Sequence, residues 1–142
     1  MRIIFVCTGN TCRSPLAESI AKSLSDAHDF TSRGLSAYDG APVSQQSRTL
    51  IHQHGLPEPS PAQQFSQQDA DVDLIVTMSA DHKRYIELMY PEANVYTLSE
   101  YAAGETRNIN DPYGGELRDY ERVYDEIEHY VRQLLEKLDN GQ

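Results

Sequence analysis

The chain has 142 residues, with 12 Lys and Arg against 22 Asp and Glu, and a formal net charge of −10 at pH 7. This length suits one compact domain that buries about two-thirds of its unfolded surface. The negative charge argues against nucleic acid and anionic membranes as partners. The apolar run at the N-terminus is too short for a signal peptide, and the two cysteines are too close to staple a secreted scaffold, so we expect free thiols and a cytoplasmic protein.

The first apolar segment, Arg2–Cys7, is β-branched and aromatic without polar alternation. This composition predicts a central strand that is buried on both faces of a parallel sheet. A helix should follow as far as about Asp26, with Ser14 as its N-cap and Pro15 in its first turn. A weaker second strand is predicted over Phe30–Ala37.

The rest of the chain continues to alternate. A helix is predicted over Ser44–His54, and the proline-rich residues 55–68 are interpreted as a surface connection. The later elements, predicted from composition and spacing, are a strand over Asp73–Met78, a helix over 79–90, a strand over 94–98 and a long amphipathic helix over Glu116–Leu138. The alternation predicts a single-domain α/β sandwich with helices on both sides of a short parallel sheet, and ligands at the carboxyl ends of its strands.

The loop after the first strand has the composition of an anion site. A strand that runs through a loop into a helix directs backbone N–H groups and the positive end of the helix dipole toward one point. Gly9 permits a tight turn, and the fork of donors on Arg13 matches two phosphoryl oxygens. The same positive field favours the thiolate of Cys7, which is a nucleophile for phosphoryl transfer. Ser14 could donate its hydroxyl to that thiolate, and Asn10 could brace the loop through its amide.

A purely structural interpretation of this loop is that Cys7 ends a core strand and Arg13 forms a surface ion pair. The context argues against it, because Gly9, Asn10 and Ser14 each stand where they have a physical use.

The stretch CTGNTCRSP at residues 7–15 resembles the low-molecular-weight protein tyrosine phosphatase family, which has C-x-G-N-x-C-R-S-P at the end of its first strand. An Asp-Pro pair before the last helix, here Asp111-Pro112, extends the resemblance over the whole chain, so residues 1–142 are expected to be one phosphatase domain. The resemblance implies a four-stranded parallel sheet flanked by helices, a cysteinyl-phosphate intermediate, and no metal or cofactor. The substrate-binding residues that it implies are Thr8, Gly9, Asn10, Thr11, Cys12, Ser14 and Tyr113.

Asp111 is the candidate for a proton donor on the far side of the phosphorus from the nucleophile. Without the resemblance, an aspartate before a proline is equally a turn or helix-capping residue. With it, Asp111 would protonate the leaving group and then deprotonate the water that hydrolyses the intermediate. The resemblance thus implies Cys7, Arg13 and Asp111 as the catalytic residues.

Cys12 stands beside Arg13 and is not the nucleophile of this pattern. Two interpretations of its thiol stay open: it could trap an oxidised Cys7 as a disulfide, or it could pack as a small buried side chain. His52 and His54 are two residues apart and would point to different sides of a helix, so we expect no metal site.

The residue at position 11 is expected to affect which phosphorylated amino acid the protein prefers as a substrate. Family members that act on phosphotyrosine commonly have an aliphatic residue here, whereas a bacterial subgroup that resembles this chain has threonine and acts on phosphoarginine. The hydroxyl of Thr11 and the carboxylate of Asp111 could accept hydrogen bonds from a guanidinium. The ring of Tyr113 suits a guanidinium or a phosphotyrosine ring equally. We therefore expect a protein-arginine phosphatase, with a protein-tyrosine phosphatase as the alternative.

A different class, the thiol-dependent arsenate reductases, shares this loop but relays oxidation to two further cysteines beyond it. The chain has no cysteine after Cys12, which argues against that class. The remaining expectation is a monomer that acts on phosphorylated proteins.

Overall fold

Four parallel strands form the centre of the protein, which we describe from a computed structural model covering residues 1–140. The strands are β1 (Arg2–Cys7), β2 (Asp29–Gly34), β3 (Leu74–Thr77) and β4 (Val95–Thr97). Their order in the sheet is β2-β1-β3-β4, so β1 lies inside the sheet between β2 and β3. The predicted central position of the first strand is confirmed.

Helices cover both faces of the sheet. They are α1 (Arg13–Leu24), α2 (Gln45–Gln53), α3 (Ala80–Met89), α4 (Leu98–Ala103) and α5 (Leu117–Asp139), with a 3-10 helix at Gln67–Asp71. The prediction of a single-domain, three-layer α/β sandwich with a four-stranded parallel sheet is confirmed.

The alternation of side chains along β1 creates two hydrophobic cores, because neighbouring residues of a strand point to opposite faces. Ile3 and Phe5 pack in the core that includes α1, α2 and α5. Ile4 and Val6 pack in the core that includes Ile86 of α3. Burial on both faces explains why this strand has no polar residue after its first position.

The start of α1 differs from the prediction. Cys12 occupies the N-cap position and the helix begins at Arg13, so Ser14 lies within the first turn and does not cap the helix. The Ser14 hydroxyl instead lies 3.0 Å from Cys7 Sγ and accepts from the Asn10 amide at 2.8 Å. Because the Ser14 hydroxyl contacts Cys7 and Asn10, it does not form the capping hydrogen bond that the sequence predicts.

Strand β2 ends at Gly34 rather than Ala37, because the backbone after it turns to the loop that follows β1: Leu35 N–H donates to Cys7 O and Ser36 N–H to Thr8 O. The other predicted helices and strands have bounds within two residues of those observed.

Residues 55–68 are more than the predicted surface connection. Ala62 and Phe65 are buried, and Gln64 forms a parallel bridge with Gly34 at the end of β2. Helix α4 was not predicted at all. It is six residues long and starts with a capping box between Thr97 and Glu100.

Candidate active site

The loop at residues 8–12 connects the carboxyl end of β1 to the first turn of α1, and Cys7 is the last residue of the strand. Asn10 has a φ of 57°, in the left-handed region that Asn tolerates better than most residues. The first N–H groups of α1 have no partner within the helix, and they lie at the positive end of its dipole. The loop therefore sits where an anion is favoured.

A hydrogen-bond network behind the loop fixes the surroundings of Cys7. Ser14 Oγ lies 3.0 Å from Cys7 Sγ. Asn10 Nδ2 donates to Ser14 Oγ at 2.8 Å and to Ser32 Oγ at 2.9 Å. Gln63 N–H, which can only donate, approaches the other end of the Asn10 amide at 2.9 Å, and this defines that atom as the oxygen. The structure thus places Ser14 directly beside Cys7 and connects Asn10 to Cys7 through Ser14.

Arg13 is nearly buried at the start of α1, with 6% of its side chain exposed. Its Nη1 donates to the carbonyl of Ile109 at 2.9 Å, and its Nη2 lies 3.8 Å from Asp111 Oδ2. Its Nε is buried and has no hydrogen-bond partner within residues 1–140. Because a buried donor without a partner is unfavourable, this N–H is available to an oxygen of a bound anion.

The segment before α5 carries Asp111 to the site. Ile109 N–H donates to the carbonyl of Met78 at 2.8 Å, which attaches this segment to the end of β3. Asp111 Oδ1 accepts from the N–H of Tyr113 at 3.0 Å, and Gly115 N–H closes the turn to Pro112 O. The Asp111 side chain is 51% exposed and Tyr113 is 80% exposed. The carboxylate is therefore held beside Arg13 while still open to solvent.

A pocket of about 230 Å³ lies between the loop and this segment. The residues that line it are Cys7, Thr8, Gly9, Thr11, Cys12, Arg13, Asp111 and Tyr113. Asn10 and Ser14 are fully buried behind the loop, so their side chains support Cys7 instead of lining the pocket. The pocket holds a thiol, a guanidinium and a carboxyl group within one small volume.

Cys12 faces the interior and is nearly buried. Its Sγ lies 3.5 Å from the hydroxyl of Tyr120 and 3.8 Å from Thr11 Oγ1. Burial, followed by the contact with Cys12, raises the pKa of Tyr120 to about 12, so that hydroxyl remains protonated at neutral pH. Both cysteine thiols are free.

His82, in the first turn of α3, is a site residue that the sequence did not reveal. Its Nε2 lies 2.9 Å from Thr8 Oγ1 at the rim of the pocket. Burial, and then the positive charge of Arg13, lower the pKa of His82 from 6.5 to about 4. The ring is therefore neutral at pH 7. Its closeness to the loop depends on the parallel pairing of β1 with β3, which no local pattern shows.

Two other residues of the network, Ser32 and Gln63, were also missed. Ser32 lies on the weakly predicted strand β2, and Gln63 contributes only its backbone N–H. The signal for Ser32 was a polar residue at a buried position of a strand. Gln63 had no such signal, because a backbone N–H can be donated by almost any residue type.

Within residues 1–140, no three His, Cys, Asp or Glu side chains are grouped closely enough to hold a metal ion. His52 instead lies 3.2 Å from Glu58 Oε1, and His54 stacks on Tyr124 with ring centroids 4.2 Å apart. No helix in the part of the chain that the structure describes is long and apolar enough to cross a membrane.

Comparison with known proteins relates this pocket to a family. A sequence profile described as low molecular weight phosphotyrosine protein phosphatase matches residues 2–142. A relative from Staphylococcus epidermidis, named low molecular weight protein-tyrosine-phosphatase PtpB, is 52% identical over 135 residues, which are 94% of this chain and 96% of the relative.

Solved structures agree with the profile. YwlE arginine phosphatase from Geobacillus stearothermophilus superposes with a TM-score of 0.95 at 32% identity, covering 99% of this chain and 94% of that one. A low molecular weight protein tyrosine phosphatase from T. tengcongensis superposes with a TM-score of 0.87 at 34% identity, covering 96% of this chain and 99% of that one. Because the profile spans nearly the whole sequence and the loop geometry fits it, the chain belongs to the low molecular weight phosphotyrosine protein phosphatase family.

Proposed function

We propose that this protein is a protein-arginine phosphatase that acts through a phosphocysteine at Cys7. The single observation that carries the proposal is the pocket in which Cys7, Arg13 and Asp111 meet beside the hydroxyl-bearing side chain of Thr11. The thiol and guanidinium suit phosphoryl transfer, and Thr11 suits the leaving group.

In the first step, the thiolate of Cys7 attacks phosphorus and forms an S–P bond while the P–N bond of phosphoarginine breaks. Asp111 gives its proton to the departing nitrogen. In the second step, water attacks phosphorus, Asp111 takes a proton from that water, and the S–P bond breaks to release phosphate and the thiolate. The carboxyl group thus returns to its starting state, and the two steps need no metal or cofactor.

Arg13 and the loop bind the phosphoryl group in this proposal. The unpartnered Nε of Arg13 donates to one phosphoryl oxygen, and the N–H groups at the start of α1 approach the others. The guanidinium of Arg13 and the N–H groups also stabilise the negative charge that develops on the equatorial oxygens of phosphorus in the transition state. Thr8, Gly9 and Cys12 line the floor and rim of the same pocket.

Thr11 and Asp111 would distinguish the leaving group. A guanidinium is planar and carries several N–H donors, and these two side chains place oxygen acceptors on the wall of the pocket. The exposed ring of Tyr113 offers a face to the cation. The structural likeness to YwlE, whose description names it an arginine phosphatase, supports this assignment.

Phosphotyrosine is the second candidate substrate. The relative from Staphylococcus epidermidis is named a protein-tyrosine-phosphatase, and the ring of Tyr113 would stack on a phosphotyrosine ring as readily as on a guanidinium. The chemistry at Cys7 and Arg13 is the same for both substrates, so the difference lies in the wall of the pocket.

The proposal extends to the setting of the reaction. Residues 1–142 form one phosphatase domain that works as a monomer on phosphorylated proteins, without nucleic acid or membrane as a partner. Two free thiols, one of them the nucleophile, fit a reducing compartment, and we place the protein in the cytoplasm on that ground.

The test is direct competition between two peptides of one sequence that differ only in the phosphorylated residue. Phosphoarginine and phosphotyrosine peptides are mixed with the wild-type protein, and the loss of each is followed by mass spectrometry. We expect the phosphoarginine peptide to have the higher kcat/KM. A higher value for the phosphotyrosine peptide would make the second candidate the function.

A further inference from the structure

A second pocket, of about 350 Å³, adjoins the pocket that holds Cys7. Asp111 and Tyr113 line both pockets, so the segment before α5 forms a wall that the two share. The second pocket lies between residues 107–115 and the first turns of α5, and we call it the flanking pocket. The proposed chemistry at Cys7 does not use it.

The charged side chains that line the flanking pocket are three carboxylates and two guanidiniums. Each carboxylate already has a partner. Glu126 accepts from Arg107 at 3.1 and 3.2 Å, and Asp119 accepts a backbone N–H in the capping box at the start of α5. Asp111 lies beside Arg13. The carboxylates and one guanidinium are therefore engaged within the protein.

Arg122 is the charged side chain that remains. It is exposed on α5, and its guanidinium forms no ion pair or hydrogen bond with residues 1–140. A guanidinium carries a planar fork of N–H donors that matches the two oxygens of a carboxylate. The group that the flanking pocket offers to a ligand is thus a donor for an acidic side chain.

A protein substrate would bring its own residues to this pocket. Tyr113 is 80% exposed, so a phosphorylated side chain that enters beside its ring leaves the peptide main chain outside the shared wall. An extended chain advances about 3.3 to 3.6 Å per residue. Residues within about three positions of the phosphorylated one can therefore reach the flanking pocket.

We propose that the flanking pocket binds an Asp or Glu side chain of the protein substrate through Arg122, from a position close in sequence to the phosphorylated residue. The inference rests on the proposed function only in that Cys7 reacts with a phosphorylated side chain of a protein, whichever residue carries the phosphate. An exposed ion pair adds little affinity, so its effect is a choice among substrates of about two- to fivefold.

The opposite preference is the competing explanation. Three carboxylates outnumber two guanidiniums around the flanking pocket, and the net charge of −10 attracts basic segments to the whole surface. The two explanations differ in their dependence on position. A contact with Arg122 requires the acidic residue near the phosphorylated one, whereas attraction by net charge depends on the total charge of the peptide.

The experiment uses pairs of phosphopeptides with identical composition. One member has Glu near the phosphorylated residue and Lys at the far end, and the other has these two residues exchanged. Glu is placed in turn at each of the neighbouring positions, and every pair is made with phosphoarginine and with phosphotyrosine. The readout is the ratio of the two kcat/KM values within a pair. We expect the member with Glu nearby to have about two- to fivefold higher kcat/KM at one or more positions.

Arg122→Gln should remove this preference, and Arg122→Glu should reverse it in favour of Lys. Arg48→Gln is the matched control and should keep the wild-type ratio. Arg48 is also an exposed arginine whose side chain has no partner within residues 1–140, and it lines a different pocket beside α2. Both Gln variants remove one positive charge, so an effect of net charge would appear in both.

Equal kcat/KM within every wild-type pair, a preference for nearby Lys, or an unchanged ratio in Arg122→Gln would overturn the proposal. A general loss of activity in a variant cancels from the ratio, because both members of a pair react in the same pocket. Faster turnover of the phosphotyrosine peptides would change the proposed function, and the ratio within the phosphotyrosine pairs would still decide this inference.

Discussion

Replacing Thr11 by isoleucine tests the proposed substrate within the pocket. Among residues 1–140, the hydrogen-bond partner of Thr11 Oγ1 is the sulfur of Cys12 at 3.8 Å, a weak acceptor and donor that leaves the hydroxyl oxygen able to accept from a substrate. Isoleucine removes that acceptor and adds apolar bulk without touching the contacts of Cys7 or Arg13. A guanidinium N–H left unpaired in a partly desolvated pocket costs about 1 to 3 kcal/mol, which is roughly one to two decades in kcat/KM.

The assay is kcat/KM for matched phosphoarginine and phosphotyrosine peptides in the wild type and in Thr11→Ile. Turnover of phosphoarginine should fall by the amount given, while turnover of phosphotyrosine should hold or rise, because its ring has no donor at that point and gains apolar contact. Thr106→Ile is the matched control, since Thr106 is exposed and lies outside this pocket. An unchanged ratio of the two kcat/KM values in Thr11→Ile would refute the reasoning and favour phosphotyrosine.

Three further predictions concern the groups around the pocket. Cys7→Ser should abolish turnover while inorganic phosphate still binds, because a hydroxyl is far less ionised than a thiol; residual turnover near the wild-type rate would exclude Cys7 as the nucleophile. Asp111→Ala should reduce kcat/KM by about 10²- to 10⁴-fold for substrates whose leaving groups need a proton, and much less for nitrophenyl phosphate; equal losses would remove Asp111 from the acid role. The pKa of His82 is lowered from 6.5 to about 4, so between pH 6.5 and pH 4 the unfolded chain binds a proton at this residue and the folded protein does not. The free energy of unfolding therefore decreases as the pH is lowered through that range. Between pH 7 and pH 5, the free energy of unfolding measured in urea should decrease by about 1 kcal/mol more in the wild type than in His82→Gln, a value reduced because the ring is partly exposed. An equal decrease in both proteins would contradict the lowered pKa of His82.

Local signals were sufficient to predict the centre of the fold and the position of the loop after β1. β1 is an uninterrupted apolar segment, and the loop after it has Gly9, Arg13 and Ser14 at positions that each have a physical use. Adjacent elements of this kind can be recognised because their contacts lie within about one strand, one loop and one helix turn. Asp111 is far from Cys7 in the sequence, so no local pattern connects the two residues. The resemblance to a family predicts that they act together, and the structure places Asp111 beside Arg13.

What the sequence could not reveal depends on contacts between distant segments. In the sequence, Glu18 has the spacing of an exposed polar residue on an amphipathic helix. Its burial depends on Ser32 and Ser60, which are distant in sequence and donate hydrogen bonds to its carboxylate. The N-cap prediction for Ser14 was wrong because tertiary partners competed for its hydroxyl. Helix α4 did have a local signal, the capping box of Thr97 and Glu100, but a six-residue helix has too few turns to show periodicity.

The most direct test of the account is to trap the covalent intermediate. Wild-type protein is mixed with excess phosphoarginine peptide, denatured within the first turnover at alkaline pH, and digested for mapping of the phosphorylated residue by mass spectrometry. The account predicts a phosphoryl group on Cys7 that forms at least as fast as steady-state turnover and is absent when the peptide carries no phosphate. Turnover without phosphorylation of Cys7, or with the phosphoryl group on another residue, would contradict it.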